Sequence, residues 1–167
     1  MLRSPELQST FVQASESAVF GELRKDGTLQ FARGGRLRIA YRDGMVLVCD
    51  GESAVQFDPR TRTAQRFALD AARKDMPLLN ILVDPGALDE SFRIKGGAED
   101  QVVLEPKQKG LPLVTVDGAG GRLKRVTWTD PTGARQQFEL KDPHVPGKAF
   151  PPSTFRFAAP AGTRWIH

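Results

Sequence analysis

Thr28-Leu29-Gln30-Phe31-Ala32-Arg33-Gly34-Gly35-Arg36-Leu37-Arg38-Ile39-Ala40-Tyr41 decides the fold. Apolar Leu29 and Phe31 alternate with polar Thr28 and Gln30. After Gly34-Gly35 the alternation resumes, with Leu37, Ile39 and Tyr41 on one face and Arg36, Arg38 and Ala40 on the other. A period of two marks a half-buried strand, because successive side chains point to opposite faces of a sheet. Two such runs about a glycine pair make an antiparallel hairpin.

The same grammar repeats on both sides of this hairpin. Turn signals stand at Lys25-Asp26-Gly27, Arg42-Asp43-Gly44, Asp50-Gly51, Asp58-Pro59-Arg60-Thr61, Gly96-Gly97, Asp117-Gly118-Ala119-Gly120-Gly121 and Asp130-Pro131-Thr132-Gly133. Between them, pairs such as Val102 and Leu104, Val114 and Val116, Val126 and Trp128, Phe138 and Leu140, and Phe155 and Phe157 sit two apart. The count is about ten or eleven strands, which predicts a mainly β chain: an antiparallel meander curled toward a barrel. No period of roughly 20 to 50 residues recurs, so the chain is no repeat array.

Two segments break the rhythm. Ser4-Pro5-Glu6-Leu7 offers an N-cap and a proline at the first helical position, and Leu7 and Phe11 stand four apart, predicting a short N-terminal helix. Asp75-Met76-Pro77-Leu78-Leu79-Asn80-Ile81-Leu82-Val83-Asp84-Pro85 starts with a capping Asp and stops before Asp84-Pro85, predicting a second helix. Asn80 is its only polar interior residue. Such a helix is either buried all round or turns its second face to an apolar ligand. The tail reads as a loop through Pro143–Gly147 and Pro151-Pro152, then a last strand Ser153–Phe157 that closes the sheet.

Composition removes several functions. The 167 residues are expected to form one domain, 1–167, and 40% hydrophobic content suffices for one core. The net charge is +4, with Lys and Arg spread along the chain and no aromatic interleaving, unlike a nucleic-acid surface. Cys49 is the only thiol, so an intramolecular disulfide and a thiolate metal cluster are excluded. His144 and His167 have no metal or triad partner at a recognisable spacing, and the proximity of Asp142 to His144 is a common loop pattern. Nucleophile-elbow, P-loop and dinucleotide motifs are missing. No enzyme, cofactor or metal is expected.

Ten Phe against one Tyr suit a dry core or a pocket for acyl chains. The expected lining is Leu29, Phe31, Leu37, Ile39, Val126 and Trp128 from the sheet, with Leu78, Leu79, Ile81 and Leu82 from the apolar helix as a lid. Strict alternation puts Arg33 on the side of Leu29 and Phe31, at the rim. The plainer alternative, an ordinary core and a solvated arginine at a strand end, stays open.

Phe11-Val12-Gln13, Gly27–Arg33 leading into Leu37-Arg38-Ile39, and Asp50-Gly51 before Val55–Pro59 together resemble the outer-membrane lipoprotein carrier (LolA) family. So do Pro77-Leu78-Leu79, Leu104-Glu105-Pro106-Lys107, Leu123–Phe138 and Phe155–Gly162, in order over nearly the whole chain. The resemblance implies an unclosed antiparallel barrel with a helical lid. It implies a periplasmic, monomeric carrier of acylated lipoproteins, its leader peptide removed. Such a carrier takes cargo from an inner-membrane ABC-type release complex (LolCDE-like) to an outer-membrane, LolB-like receptor. On it, Arg33 matches the arginine that holds the lid shut, in Arg33-Gly34 where the family has Arg-Pro, and Leu37, Ile39, Leu78, Ile81 and Val126 match cavity positions. Three other readings are weighed beside it: a carrier or sensor of another lipid, a LolB-like receptor, and a cavity enzyme.

Overall fold

The computed structural model describes residues 6–69, 92–97, 99–107, 109, 112–119 and 122–166. These form one twelve-stranded sheet: β1 (Glu6–Ser17), β2 (Gly21–Ala32), β3 (Arg36–Tyr41), β4 (Val46–Asp50), β5 (Ser53–Asp58), β6 (Thr63–Ala68), β7 (Phe92–Gly96), β8 (Gln101–Pro106), β9 (Val114–Ala119), β10 (Arg122–Thr129), β11 (Arg135–Leu140) and β12 (Arg164–Ile166). The strand order is β12-β6-β5-β4-β3-β2-β1-β11-β10-β9-β8-β7. The sheet curls without closing, since β12 and β7 remain edges. Its pairings are antiparallel except that β12 runs parallel beside β6.

The hairpin at Gly34-Gly35 forms as its alternation dictates, Leu29 opposite Ile39 and Phe31 opposite Leu37. Both glycines take positive φ, 83° and 75°, which glycine tolerates without steric cost. Antiparallel pairing sends β1, β3, β5, β8 and β10 toward one end of the sheet, called here the hairpin end. The turn after β2 lies at the opposite end.

Three expectations are corrected. The N-terminal helix is not formed: Glu6–Ser17 is a strand, paired with β2 and β11. Residues four apart share a face in a strand as well as in a helix, so Leu7 and Phe11 fit either period, and Thr10, Phe11 and Val12 favour the strand. Lys25-Asp26-Gly27 is no turn either, because β2 runs through it and the chain reverses at 18–20, where the Phe20 N–H donates to Ser17 Oγ at 2.9 Å. The predicted last strand Ser153–Phe157 is instead a 3-10 turn, Pro152–Phe155, after which β12 supplies the final strand. Pro151 and Pro152 fix φ and donate no hydrogen bond, which suits a tight turn and not a ladder. The predicted lid helix, 75–85, lies outside the described residues.

Gly27 has a different task from the one its Asp-Gly context advertises. It stands in register between Phe11 of β1 and Tyr41 of β3, and a Cβ placed on it would lie 2.0 Å from the Ala40 carbonyl oxygen. Above it the Phe11 and Tyr41 rings meet edge to face with centroids 5.4 Å apart. Glycine inside a strand here permits a close backbone approach, and the two rings cover the gap it leaves. Gly27→Val should lower unfolding free energy by about 3 kcal/mol, since the clashing atom is backbone and cannot rotate away. Gly147→Ala, with nothing within 4 Å, should stay within about 0.5 kcal/mol. Urea denaturation of both variants measures the contrast.

Candidate functional site

The two faces of the sheet are built differently. On the inner face one cluster of buried side chains runs from Leu47, Cys49 and Ala54 through Leu29, Leu37, Ile39, Phe11 and Phe138 to Val126, Val114 and Leu104. Phe11 stacks on Phe138 across the β1–β11 pair, centroids 4.5 Å apart and planes at 16°. Burying each side chain of this size contributes about 1.5–3 kcal/mol, so the inner face supplies most of the folding drive.

The expected lining residues of the sheet, Leu29, Phe31, Leu37, Ile39, Val126 and Trp128, all belong to this cluster. The β10 bulge between Leu123 and Arg125 explains how Leu123, Val126 and Trp128 share the inner side. Leu78, Leu79, Ile81 and Leu82 lie outside the described residues. The residues that flank that segment are placed: Leu69, just after β6, and Phe92, which opens β7, are both buried in the inner cluster. The chain therefore leaves and re-enters the described structure on the inner face, at strands far apart in the sheet order. Arg33 directly follows Ala32, the last residue of β2. It is exposed in the turn, where its carbonyl accepts a hydrogen bond from Arg36 Nε at 2.9 Å.

Toward the hairpin end the inner face becomes polar. The Tyr41 hydroxyl donates to Gln13 Oε1 at 2.7 Å, and Lys25 Nζ lies 5.4 Å from the Tyr41 ring centroid and 3.5 Å from Asp43 Oδ2. Beside them Gln136 Nε2 reaches Ser15 Oγ at 3.0 Å and Asp130 Oδ2 at 2.9 Å. Burial pushes the Tyr41 phenol up to about 12, the Asp43 charge adding to it. Tyr41 was legible in the sequence as the third residue of the Leu37–Ile39 face. Gln13 and Lys25 were not, because their strand neighbours depend on where the β1–β2 turn falls.

Burial likewise pushes the Cys49 thiol up to about 12, with Asp50 adding charge, so at neutral pH it is an inert packing residue. His144 is held by its backbone, paired with Gln8, and its Nδ1 lies 3.7 Å from Asp142 Oδ2. Among the described residues, no three His, Cys, Asp or Glu side chains are grouped to hold a metal ion.

The outer face of β3–β6 is covered by the tail. After β11 the chain runs beside β1, where His144 N–H donates to Gln8 O at 2.9 Å. It then crosses Glu6, whose carboxylate accepts the Phe150 N–H at 3.3 Å. Arg38 Nη1 donates to Thr154 O at 3.3 Å, Arg36 lies over the Phe155 ring, and Phe157 packs on Phe57. Two open recesses of about 180 and 330 Å³ under this strap share Arg156 and Phe157.

The family model of the outer membrane lipoprotein carrier protein LolA matches residues 4–158. The chain belongs to the LolA family. No curated protein matches it significantly in sequence. Among solved structures, a LolA superfamily protein, NE2245 of Nitrosomonas europaea, superposes with TM-score 0.53 at 8% identity, covering 93% of this chain and 91% of that one. A conserved protein of Thermus thermophilus gives TM-score 0.57 at 13% identity, covering 99% and 91%. A DUF1329 family protein of Desulfovibrio piger gives 0.54 at 12%, covering 92% and 90%. These likenesses share the fold with the LolA-family sheet described above. No helix among the described residues is long and apolar enough to cross a membrane.

Tyr41 is the only tyrosine of this LolA-family chain, so its phenolate absorbance titrates alone. Its midpoint should fall near 12 in the folded protein, against 10.0 unperturbed. A phenol raised on folding contributes stability that is complete below pH 10 and is lost as pH rises toward 12, about 2–3 kcal/mol in all. Tyr41→Phe should abolish that loss in alkaline urea titrations, and an unchanged alkaline slope would contradict the assignment.

Proposed function

We propose that this chain is a carrier of acylated molecules, with lipoproteins as cargo, and that it seats their acyl chains against the inner face. The observation that carries the reading is one continuous apolar inner face, polar at the hairpin end. An amphiphile fits such a face in one orientation, chain along Leu29, Ile39 and Val126 and polar group toward Gln13, Lys25 and Tyr41.

Leu29, Leu37, Ile39 and Val126 have no exposure, so an acyl chain reaches them only by displacing the side chains packed against them. Each methylene then buried contributes about 0.8 kcal/mol, and closing of the empty protein offsets that gain. Capture and release by this exchange of one apolar surface for another involves no covalent step, so the reading is non-catalytic. The family supports a route through the periplasm from an inner-membrane release complex to an outer-membrane receptor.

The two tryptophans separate the faces, Trp128 being buried on the inner side and Trp165 packing on Phe157 on the outer side. In Trp165→Phe, a brominated acyl chain on a soluble peptide should quench Trp128 emission saturably at one chain per protein. The same peptide without its chain should not. Absence of quenching, or quenching of Trp165 alone in Trp128→Phe, would overturn the proposal.

A further inference from the structure

The β1–β2 hairpin ends in three large apolar side chains exposed to solvent: Val19 at 82%, Phe20 at 79% and Leu23 at 61%. Single exposed apolar residues are ordinary, but three gathered on one tip mark a contact surface. The tip projects well past the end of β3 and one residue past the end of the β11 ladder. The β1–β11 ladder ends at Glu16 opposite Arg135, and the β2–β3 ladder ends at Gly27 opposite Tyr41, whereas β1 and β2 stay paired out to Ser17 and Gly21. The turn itself is fixed by the Phe20 N–H bond to Ser17 Oγ. Val19 and Phe20 therefore stand at the end of the hairpin, and Leu23 lies just behind them on β2, opposite Ser15.

We infer that this tip inserts shallowly into a lipid surface with uncharged or zwitterionic headgroups, docking the hairpin end of the sheet on a bilayer. A fluid interface conforms to a protruding apolar point, whereas a protein partner must supply a matching pocket. Charge selects the headgroup class. Glu16 and Glu22 balance Arg24 and Lys25, with Arg24 Nη1 3.9 Å from Glu22 Oε1, so the tip has no net charge with which to favour an anionic surface. Insertion then rests on apolar area, and salt does not screen it. Leu23 lies on the same side of β2 as Lys25, Gly27 and Leu29 by alternation, so the apolar tip continues beyond the polar end of the inner face. That relation to cargo rests on the carrier reading; the docking does not.

The test is flotation of the full chain with phosphatidylcholine vesicles at low and high salt, and with added phosphatidylglycerol. The parent protein should float in neutral vesicles at both salt concentrations, with little gain from the anionic lipid. Val19→Ser combined with Phe20→Ser should lower partitioning by about tenfold or more. Leu23→Ser alone should lower it less. Circular dichroism and Trp128 quenching by the brominated acyl chain should stay unchanged in these variants, since the tip lies outside the core. A parent that does not float, variants that float equally, or binding that needs anionic lipid and vanishes in salt would each overturn the inference. Tip-dependent flotation without any acyl quenching would sustain the docking and sink the carrier reading instead.

Discussion

Phe11 stacked on Phe138 holds together a sheet made of two meanders. Strands β1–β6 follow one another in space, as do β7–β11, and among the described pairings the two sets meet at β1 against β11. At that seam Phe11 also meets Tyr41 over the bare backbone of Gly27, so three strands of one meander and the last strand of the other share one aromatic contact. Aromatic pairs of this kind add about 0.5–1.5 kcal/mol beyond their buried area. The seam lies in the middle of the inner face, so whatever holds the sheet together also forms the apolar surface to which a function is assigned.

The outer face meets a different constraint. Val55, Phe57 and Ala64 form a separate apolar cluster there, and the tail covers it by bringing Phe157 down on Phe57. The strap ends as β12 along β6, pairing one side of a strand that would otherwise be an edge. The outer side of these strands is thus covered from within the chain.

Much of this architecture was legible because alternation is strict where one face is dry. The Leu29–Phe31 and Leu37–Ile39 pairs, Val126 with Trp128, and Phe138 with Leu140 each declared their face, and all lie in the inner cluster. What failed was punctuation. Asp26-Gly27 carries the same residues as a turn, and only the ladder to Tyr41 and the packing of Ala40 against Gly27 reveal a strand glycine. Leu7 and Phe11 are compatible with two periods, and the choice was made by β11, which is more than a hundred residues away in sequence. The exposed Val19 and Phe20 carried no signal until the turn was placed.

The central claim is that acyl chains occupy the inner face. Methyl-labelled protein saturated with an acylated peptide, with nuclear Overhauser contacts recorded from the chain methylenes, tests it directly. The account predicts contacts to Leu29, Leu37, Ile39 and Val126 and none to Val48 or Val55, which lie on the strapped outer side. Contacts to Val48 and Val55 in place of the inner residues would contradict it.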